Sequence, residues 1–358
     1  MPRKKGKQVI KLEKELTELL KDGNWEDSDP LPVTRELAEK FDVSNVTVHR
    51  VLRKFSNEGL LWRSDSGRYF LPSGREMMER PKPVFCLVRE LTARHVSYRL
   101  MLQGFSRQCA EARRSLLFPS DVGLVNLTEP EEPPQFQNSS AQLKSFRRVL
   151  RTNPQKQHGF LLDHLWHEDV LGHCADELPN AVILWRSTNV ESISSVSIDF
   201  EAAAHQAISH LLQQKYERII IAIPFEGDSA VDQMAEAGAK AASELTQFKP
   251  EDICMATNDR ERQQLVESIR NAPERIGIFC IEDSVCKLLL DTIRLAGIRC
   301  PEKVGIISGM GTEIAHWGGL STVEIPFVEM GAVAGKLIGS RTKGKKVLPT
   351  KVIRNLTT

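Results

Sequence analysis

The sequence predicts an α/β chain in which a small helical unit with a two-strand wing precedes a larger, doubly wound unit. Three observations carry this. Residues 8–58 hold three apolar stretches at helical spacing, and two short strand-like runs around a turn follow. Residues 73–83 combine prolines, a glycine and several charges, the composition of a linker. Beyond them, short apolar runs alternate with helical stretches, the pattern of parallel sheets built from βαβ units. The expected domains are 1–72, a linker at 73–83, and 84–358.

In the small unit, Val9, Leu12, Leu16, Leu19 and Leu20 recur at helical spacing over 8–22. Thr34 is placed to cap a second helix, whose apolar face is Leu37, Ala38 and Phe41. Ser44 starts a third, with Val48, Val51, Leu52 and Phe55 inward, and Gly59 stops it. Leu60-Leu61-Trp62 and Arg68 to Leu71 then read as strands around Ser64-Asp65-Ser66-Gly67. In the larger unit, strands are expected at Val84–Val88, Gly159–Leu162, Ala181–Trp185, Val196–Ile198, Arg218–Ile223, Ile276–Cys280 and Val304–Ile307, with a helix over about 97–113. Residues 119–141, rich in Pro, Glu, Gln and Ser, read as a loop or insertion.

Composition narrows the function. The 358 residues carry a net charge of +1, so any nucleic-acid binding must come from a local patch. Cys86, Cys109, Cys174, Cys254, Cys280, Cys286 and Cys300 form no CxxC pair, which argues against a zinc knuckle or disulfide framework and for a reducing cytosol. The basic N-terminus lacks the apolar core of a signal peptide, and no apolar run approaches the roughly 18–20 residues of a membrane span. A cytoplasmic, nucleoid-associated protein without cofactor or metal is expected.

The patch is found in the small unit. FDVSNVT between the second and third helices suits a helix-turn-helix, with Val43 plugging the turn and Ser44 capping the recognition helix. That helix presents Asn45, Val46, His49, Arg50 and Arg53 outward. Asn pairs with adenine in the major groove, and Arg and His reach base edges or phosphates. Arg35, Lys54, Arg63 and Arg68 concentrate charge nearby, as phosphate positioning requires.

The segments LPVTRELAEKFDVSNVTVHRVL, NEGLL and SDSGRYFLP resemble the winged-helix domain of the GntR family over residues 9–72. The resemblance implies that Arg35 touches DNA, Thr47 the backbone, and Gly67 the minor groove. Two family arginines on the recognition helix are replaced by Asn45 and His49, so a different operator preference is expected. VSNVTVHRVL is also similar to the LacI headpiece, which has no wing.

Residues 84–356 resemble the LacI/GalR core, of periplasmic-binding-protein fold. The resemblance rests on SIDFEAAAHQAISHLLQQKYERIIIAI, on IGIFCIEDSVCKLLLDTIRLAGIRCPEKVGIISGM and on LSTVEIPFVEMGAVAGKLI, and is weak up to about residue 190. It implies two doubly wound lobes, the second beginning at the strand of SIDF, with a ligand cleft beyond the strands' carboxyl ends. The residues just after strands are the candidate contacts: Arg89, Glu90, Arg94, His95, Tyr98, Asp199, Glu282, Asp283, Met310 and Glu313. Gln233 and Met310 stand where that family has an arginine and an aspartate, Phe200 where it has an asparagine, and Glu282 where the FCxND turn has its asparagine. A plain sugar is therefore less secure as the ligand than the fold suggests. Asp283 is expected to cap a helix.

DHLWHEDVLGHC offers Asp163, His164, His167, Glu168, His173 and Cys174, with His164 and His167 spaced to share a helix face, but without the HExxH spacing. A solvated helix and loop is the expectation there. Gly339 to Lys346 imitates a phosphate loop without its Ser/Thr or leading strand and is expected to be a basic surface loop. Cys280 and Cys286 are expected in the core. Together these features point to a repressor, not an enzyme. It would be a homodimer on double-stranded operator DNA, controlled by a sugar or sugar-like effector. The alternative is a constitutive regulator whose sensor no longer binds ligand.

Overall fold

A computed structural model describes the chain except residues 1–6, 22–29, 59, 65–66, 71–81, 90–95, 120–121, 123, 127–134, 153–158, 179, 339 and 341–342. Gly59, Asp65, Ser66, Glu90, Arg94 and His95 thus lie outside the described residues. Two compact units divide at Pro81/Lys82.

In the first unit, α1 (Lys7–Lys21), α2 (Thr34–Phe41) and α3 (Asn45–Asn57) precede the antiparallel pair β1 (Trp62–Arg63) and β2 (Tyr69–Phe70). Their apolar faces meet in one core of Leu12, Leu16, Leu37, Val48, Val51, Leu52, Phe55, Leu61 and Tyr69. Thr34 is not the cap of α2 but its first helical residue. Val33 precedes it, and the Glu36 carboxylate accepts the Val33 N–H at 3.2 Å. A carboxylate one turn into a helix satisfies a free N-terminal donor as well as a hydroxyl does.

The second unit runs β3 (Lys82–Leu87), α4 (Val96–Glu111), β4 (Arg114–Leu117), β5 (Val125–Asn126), β6 (Gln135–Phe136), α5 (Ser139–Thr152), β7 (Gly159–Leu162), α6 (Glu168–His173), β8 (Ala181–Leu184) and β9 (Ile193–Ile198). It continues with α7 (Phe200–Gln213), β10 (Arg218–Ile223), α8 (Ser229–Leu245), β11 (Ile253–Met255), α9 (Asp259–Asn271), β12 (Ile276–Cys280), α10 (Asp283–Leu295), β13 (Val304–Ser308), α11 (Glu313–Gly318), β14 (Ser321–Glu324), α12 (Phe327–Leu337), β15 (Lys345–Leu348) and β16 (Lys351–Ile353). Two six-stranded sheets result, β15-β9-β8-β7-β3-β4 and β11-β10-β12-β13-β14-β16, each parallel except for β16. They are two lobes, and the chain crosses between them after β9, β14 and β15.

Several expectations are corrected. The SIDF strand, β9, belongs to the first lobe, paired with β8 and β15; the second lobe begins with α7. Lys82 and Pro83, expected in the linker, already pair with Arg114 and Ser115 in the first sheet. The 119–141 segment is not plain loop. It contains the β5–β6 hairpin and the start of α5, and buried Val122 and Leu124 anchor it in the first lobe's core. Lys345 and Lys346 lie on the edge strand β15 rather than in a loop. The edge strands β4, β11, β15 and β16 are half-exposed or exposed, so their sequences carry weaker apolar runs than the central strands.

α4 of the first lobe and α12, which enters it from the second, approach backbone to backbone. A Cβ on Gly104 would stand 1.8 Å from the Val328 carbonyl oxygen, and one on Gly331 1.7 Å from that of Met101. No side chain fits at either position.

Candidate functional sites

On the first unit, α3 presents a continuous polar face. The Ser44 hydroxyl accepts the Thr47 N–H at 3.2 Å and lies 2.8 Å from the Thr47 hydroxyl, which fixes the start of the helix. Asn45, Val46, His49, Arg50 and Arg53 are exposed and line one shallow depression with Thr34 and Arg35 from α2. Arg50 and Arg53 have no ion-pair partner among the described residues. Among the described residues Arg35 is held only by Glu39 on its own helix, at 3.3 Å and open to solvent, a pair worth little. Val46 is 69% exposed on the same face.

The wing is closed by Gly67, whose φ of +83° favours glycine. Its N–H donates to the Ser64 carbonyl at 2.9 Å, and Arg63 Nε donates to the Gly67 carbonyl at 3.3 Å. Arg68 is exposed beside it. Trp62 stacks on Phe70 at 4.6 Å, and the Leu31 N–H donates to the Tyr69 carbonyl, so residues 30–31 brace the wing.

The second site lies between the lobes, at the carboxyl ends of β3, β7 and β10. Parallel pairing sets Leu87 beside Leu162, so the residues that follow, Arg89 and Asp163, emerge together. Arg89 grips Asp163 with Nε to Oδ2 at 2.9 Å, Nη2 to Oδ1 at 3.0 Å and its backbone N–H to Oδ2 at 3.0 Å. Its Nη1 reaches Asp228 Oδ2 at 3.2 Å, and Asp228 belongs to the second lobe, before α8. Asp228 Oδ1 lies 2.6 Å from His164 Nε2 and accepts the Ala230 N–H at 3.0 Å. Tyr98 Oη lies 3.0 Å from His164 Nδ1. In the tautomer with its proton on Nε2, His164 donates to Asp228 and accepts from Tyr98.

All five side chains are buried; Asp163 is 0% exposed and Asp228 3%. Burial pushes the Asp163 carboxyl up, but Arg89 and His164 outweigh it and bring the pKa down to about 2. The Asp228 carboxyl is likewise raised by burial and then held well below the usual carboxylate range by His164 and Arg89. Burial by itself would loosen the Arg89 proton, and the facing carboxylates bind it more firmly instead. Trp185, with φ of 70°, forms the apolar wall, its ring 6.4 Å from His164, 6.3 Å from Phe200 and 5.4 Å from Phe327. At the rim, Phe136 of the first lobe's hairpin packs on Phe225 of the second at 6.2 Å.

Other sequence candidates go elsewhere. Asp199 is exposed, caps α7 through the Ala202 N–H and lines a surface depression with Glu201, His205 and Lys240. Gln233 Nε2 donates to the Ser229 carbonyl on its own helix. Asp283 is not the cap of α10: Glu282 is, accepting the Val285 N–H at 3.0 Å. Asp283 turns inward and accepts from the Thr312 N–H at 2.6 Å, the Thr312 hydroxyl at 2.7 Å and the Met310 N–H at 3.3 Å. Burial raises the pKa of both carboxyls. Met310 packs against the apolar core. Glu313 pairs with Arg99 of the first lobe at 3.5 Å, half exposed.

His164 and His167 do not share a helix face. Both lie in the turn between β7 and α6, where Gln142 of α5 donates to the Leu165 carbonyl and accepts the His167 N–H, each at 2.8 Å. Nor is the segment merely solvated, since Asp163 and His164 are fully engaged. Glu168 binds Arg186, Thr188 and Asn189. Among the described residues no cluster suits a metal ion, and no helix is long and apolar enough to cross a membrane. Cys280 and Cys286 are buried. Asp228 and Trp185 were not singled out from sequence. The signal for Asp228 was an acidic residue opening a helix after an apolar strand, which also describes ordinary caps.

The first unit thus carries an exposed cationic helix face followed by a two-strand wing, and the second a two-lobed α/β fold with buried charges between its lobes. Comparison with known proteins makes this particular. Residues 9–70 match the gntR family of bacterial regulatory proteins, and residues 208–357 match the periplasmic binding protein-like domain. The chain thus carries a gntR-type segment followed by a periplasmic-binding-protein-like one. It is 28% identical over 205 residues to the HTH-type transcriptional repressor MelR of Bacillus subtilis (strain 168), covering 52% of this chain and 59% of that one. The chain therefore spans less than two thirds of the length of this relative. The gntR family and this relative are regulators, not enzymes.

Among solved structures, the transcriptional regulator CelR–cellobiose complex superposes with a TM-score of 0.63 at 16% identity, over 91% of this chain and all of that one. A LacI family regulator from Enterococcus faecium with bound ribose gives 0.60 at 16% identity, over 77% and 98%. Likeness at that identity speaks for the fold.

Proposed function

We propose that the protein is a sequence-specific DNA-binding transcription repressor whose grip on its operator is set by a small molecule between the two lobes. The observation that carries the reading is the α3 face: Asn45, Val46, His49, Arg50 and Arg53 exposed together behind a fixed Ser44 cap. Thr47, Arg35, Gly67 and Arg68 complete the proposed contacts, the last two from the wing. The protein acts as a homodimer at the nucleoid, in the cytoplasm, because two-fold operators need paired recognition helices about 34 Å apart or a multiple of that. Trp317 on α11 is 85% exposed, and Leu356, 69% exposed, packs beside neighbouring Gly319. An exposed apolar patch of this kind supports a second copy as its cover.

A sugar or sugar-like effector is supported by fold neighbours solved with cellobiose and with ribose. Its proposed contacts are Tyr98, Gln233 and Met310, with Glu90, Arg94, His95, Asp199, Glu282 and Asp283 carried from sequence position. The burial of Asp283 and the surface position of Asp199 weigh against those two. The completeness of the Arg89–Asp163–His164–Asp228 network favours the second reading, a regulator whose cleft no longer takes ligand.

The test is selection of an operator from random duplex DNA by the full chain, followed by binding titrations across salt. Specific binding that weakens in Arg50→Ala, with a shallower salt slope, is the expected result. Binding with no sequence preference, and no change in that variant, would refute the reading.

A further inference from the structure

The interlobe network has a feature that a ligand cleft does not require. Its central carboxylate comes from the opposite lobe. Arg89 Nη1 and His164 Nε2 both point from the first lobe at one group, the Asp228 carboxylate, at 3.2 and 2.6 Å. The rest of the first-lobe side is prearranged for that anion. Asp163 holds the Arg89 guanidinium by two parallel bonds, and Tyr98 fixes the His164 ring through Nδ1 while lying 5.0 Å beneath the guanidinium carbon. Paired donors locked from behind in this way are how proteins recognise a planar carboxylate.

We propose that the cleft face of the first lobe is a carboxylate-binding site, formed by Arg89 and His164 and occupied in cis by Asp228, so that the second lobe docks on the first as its ligand. The lobes then close without an effector. This deepens the sensor reading above and rests on it: an effector acts by competing with Asp228, and its acidic group would take the Asp228 position. Three further observations agree. Both oxygens of Asp228 are used, and the helix α8 that it caps holds it in place. The apolar wall of Trp185, Phe200 and Phe327 joins residues of both lobes. Phe136 and Phe225 seal the rim from either side, and a Cβ on Gly227 (φ +89°) would press on the Phe136 ring at 3.3 Å.

The experiment uses the full chain, with spin labels at exposed Lys144 on α5 and Arg260 on α9, one on each lobe. Interlobe distances are measured for wild type, Asp228→Asn and Asp228→Ala, with no effector added. Asparagine still caps a helix, so the first variant keeps α8 intact while losing the charge. Wild type is expected to give one narrow distance, and both variants a longer or broader distribution. Sodium formate, against sodium chloride at equal ionic strength, restores the narrow distance in Asp228→Ala by filling the vacated site. A broad wild-type distribution overturns the proposal. So does a narrow one retained by Asp228→Asn, or an Asp228→Ala variant that formate leaves as chloride does. Operator titrations on the same samples separate the two readings. A wild type that selects no operator refutes the repressor while the distances still judge the carboxylate site.

Discussion

Arginine and histidine meet twice in this chain, and their surroundings give them opposite tasks. On α3, His49, Arg50 and Arg53 stand in water with no ion-pair partner among the described residues. Between the lobes, Arg89 and His164 are buried, and each guanidinium and ring nitrogen has a partner within the protein. An exposed, hydrated guanidinium contributes almost nothing to folding and is free to bind phosphate or a base. A buried one is safe only inside a complete network, because an orphaned buried charge is costly. Availability for a partner and importance for stability therefore run in opposite directions in the two places.

The comparison is tested hardest by removing one arginine from each side. Arg89→Met leaves Asp163 and Asp228 facing each other without their cation and is expected to destabilise the larger unit by about 3–5 kcal/mol. Denaturant unfolding checks this, and a loss below about 1 kcal/mol would break the contrast. A smaller effect is expected from acid. The folded-state pKa of Asp163, about 2, lies below its unfolded value, about 3.9. The resulting stability, about 2–3 kcal/mol, is fully present above the unfolded value and is lost as pH falls from roughly 5 towards 2. Melting of Asp163→Asn should show a shallower acid limb than wild type over that window.

Arg50→Ala should leave folding within about 0.5 kcal/mol of wild type. It is expected to weaken operator binding by about 1–3 kcal/mol if it reads a base, or to reduce the salt slope by about one if it binds phosphate. Equal operator binding by Arg50→Ala and wild type would remove α3 from the interface. The smallest effect sharpens the picture at the helix start. Ser44→Ala removes the acceptor for the Thr47 N–H, at a cost of about 1 kcal/mol by thermal melting, while Ser44→Gly costs a few tenths.

The two sites also differed in how much of them could be read from the chain. The outward polar face of α3 was legible because its residues lie within a few helical turns. Ser44 caps, Val48, Val51, Leu52 and Phe55 point inward, and the 3.6-residue period then places Asn45, His49, Arg50 and Arg53 outward. Thr34 misled because a threonine before an apolar face resembles a cap, while Glu36 supplied the acceptor instead. Central strands such as Arg218–Ile223 and Ile276–Cys280 were legible as continuous apolar runs, since both faces of a parallel sheet are covered.

The cleft was not legible, because its members are brought together by strand order rather than by spacing. Arg89, Asp163 and Asp228 are separated by 74 and 139 positions in the pairs they form. Their meeting depends on β3 pairing with β7 and on the chain's crossing into a second sheet after β9. The segment around His164 offered several titratable groups, and only the packing of Tyr98, Asp228 and Gln142 distinguished a buried, fully bonded histidine from a solvated one. By itself the sequence determined the helical order of the smaller unit, the α/β class of the larger unit and the outward face of α3, all of which follow from local periodicity. Tertiary structure alone decided which charges are buried, which partner neutralises each, and that a carboxylate of one lobe meets an arginine and a histidine of the other. Burial and pairing are properties of long-range contacts, and no local spacing encodes them.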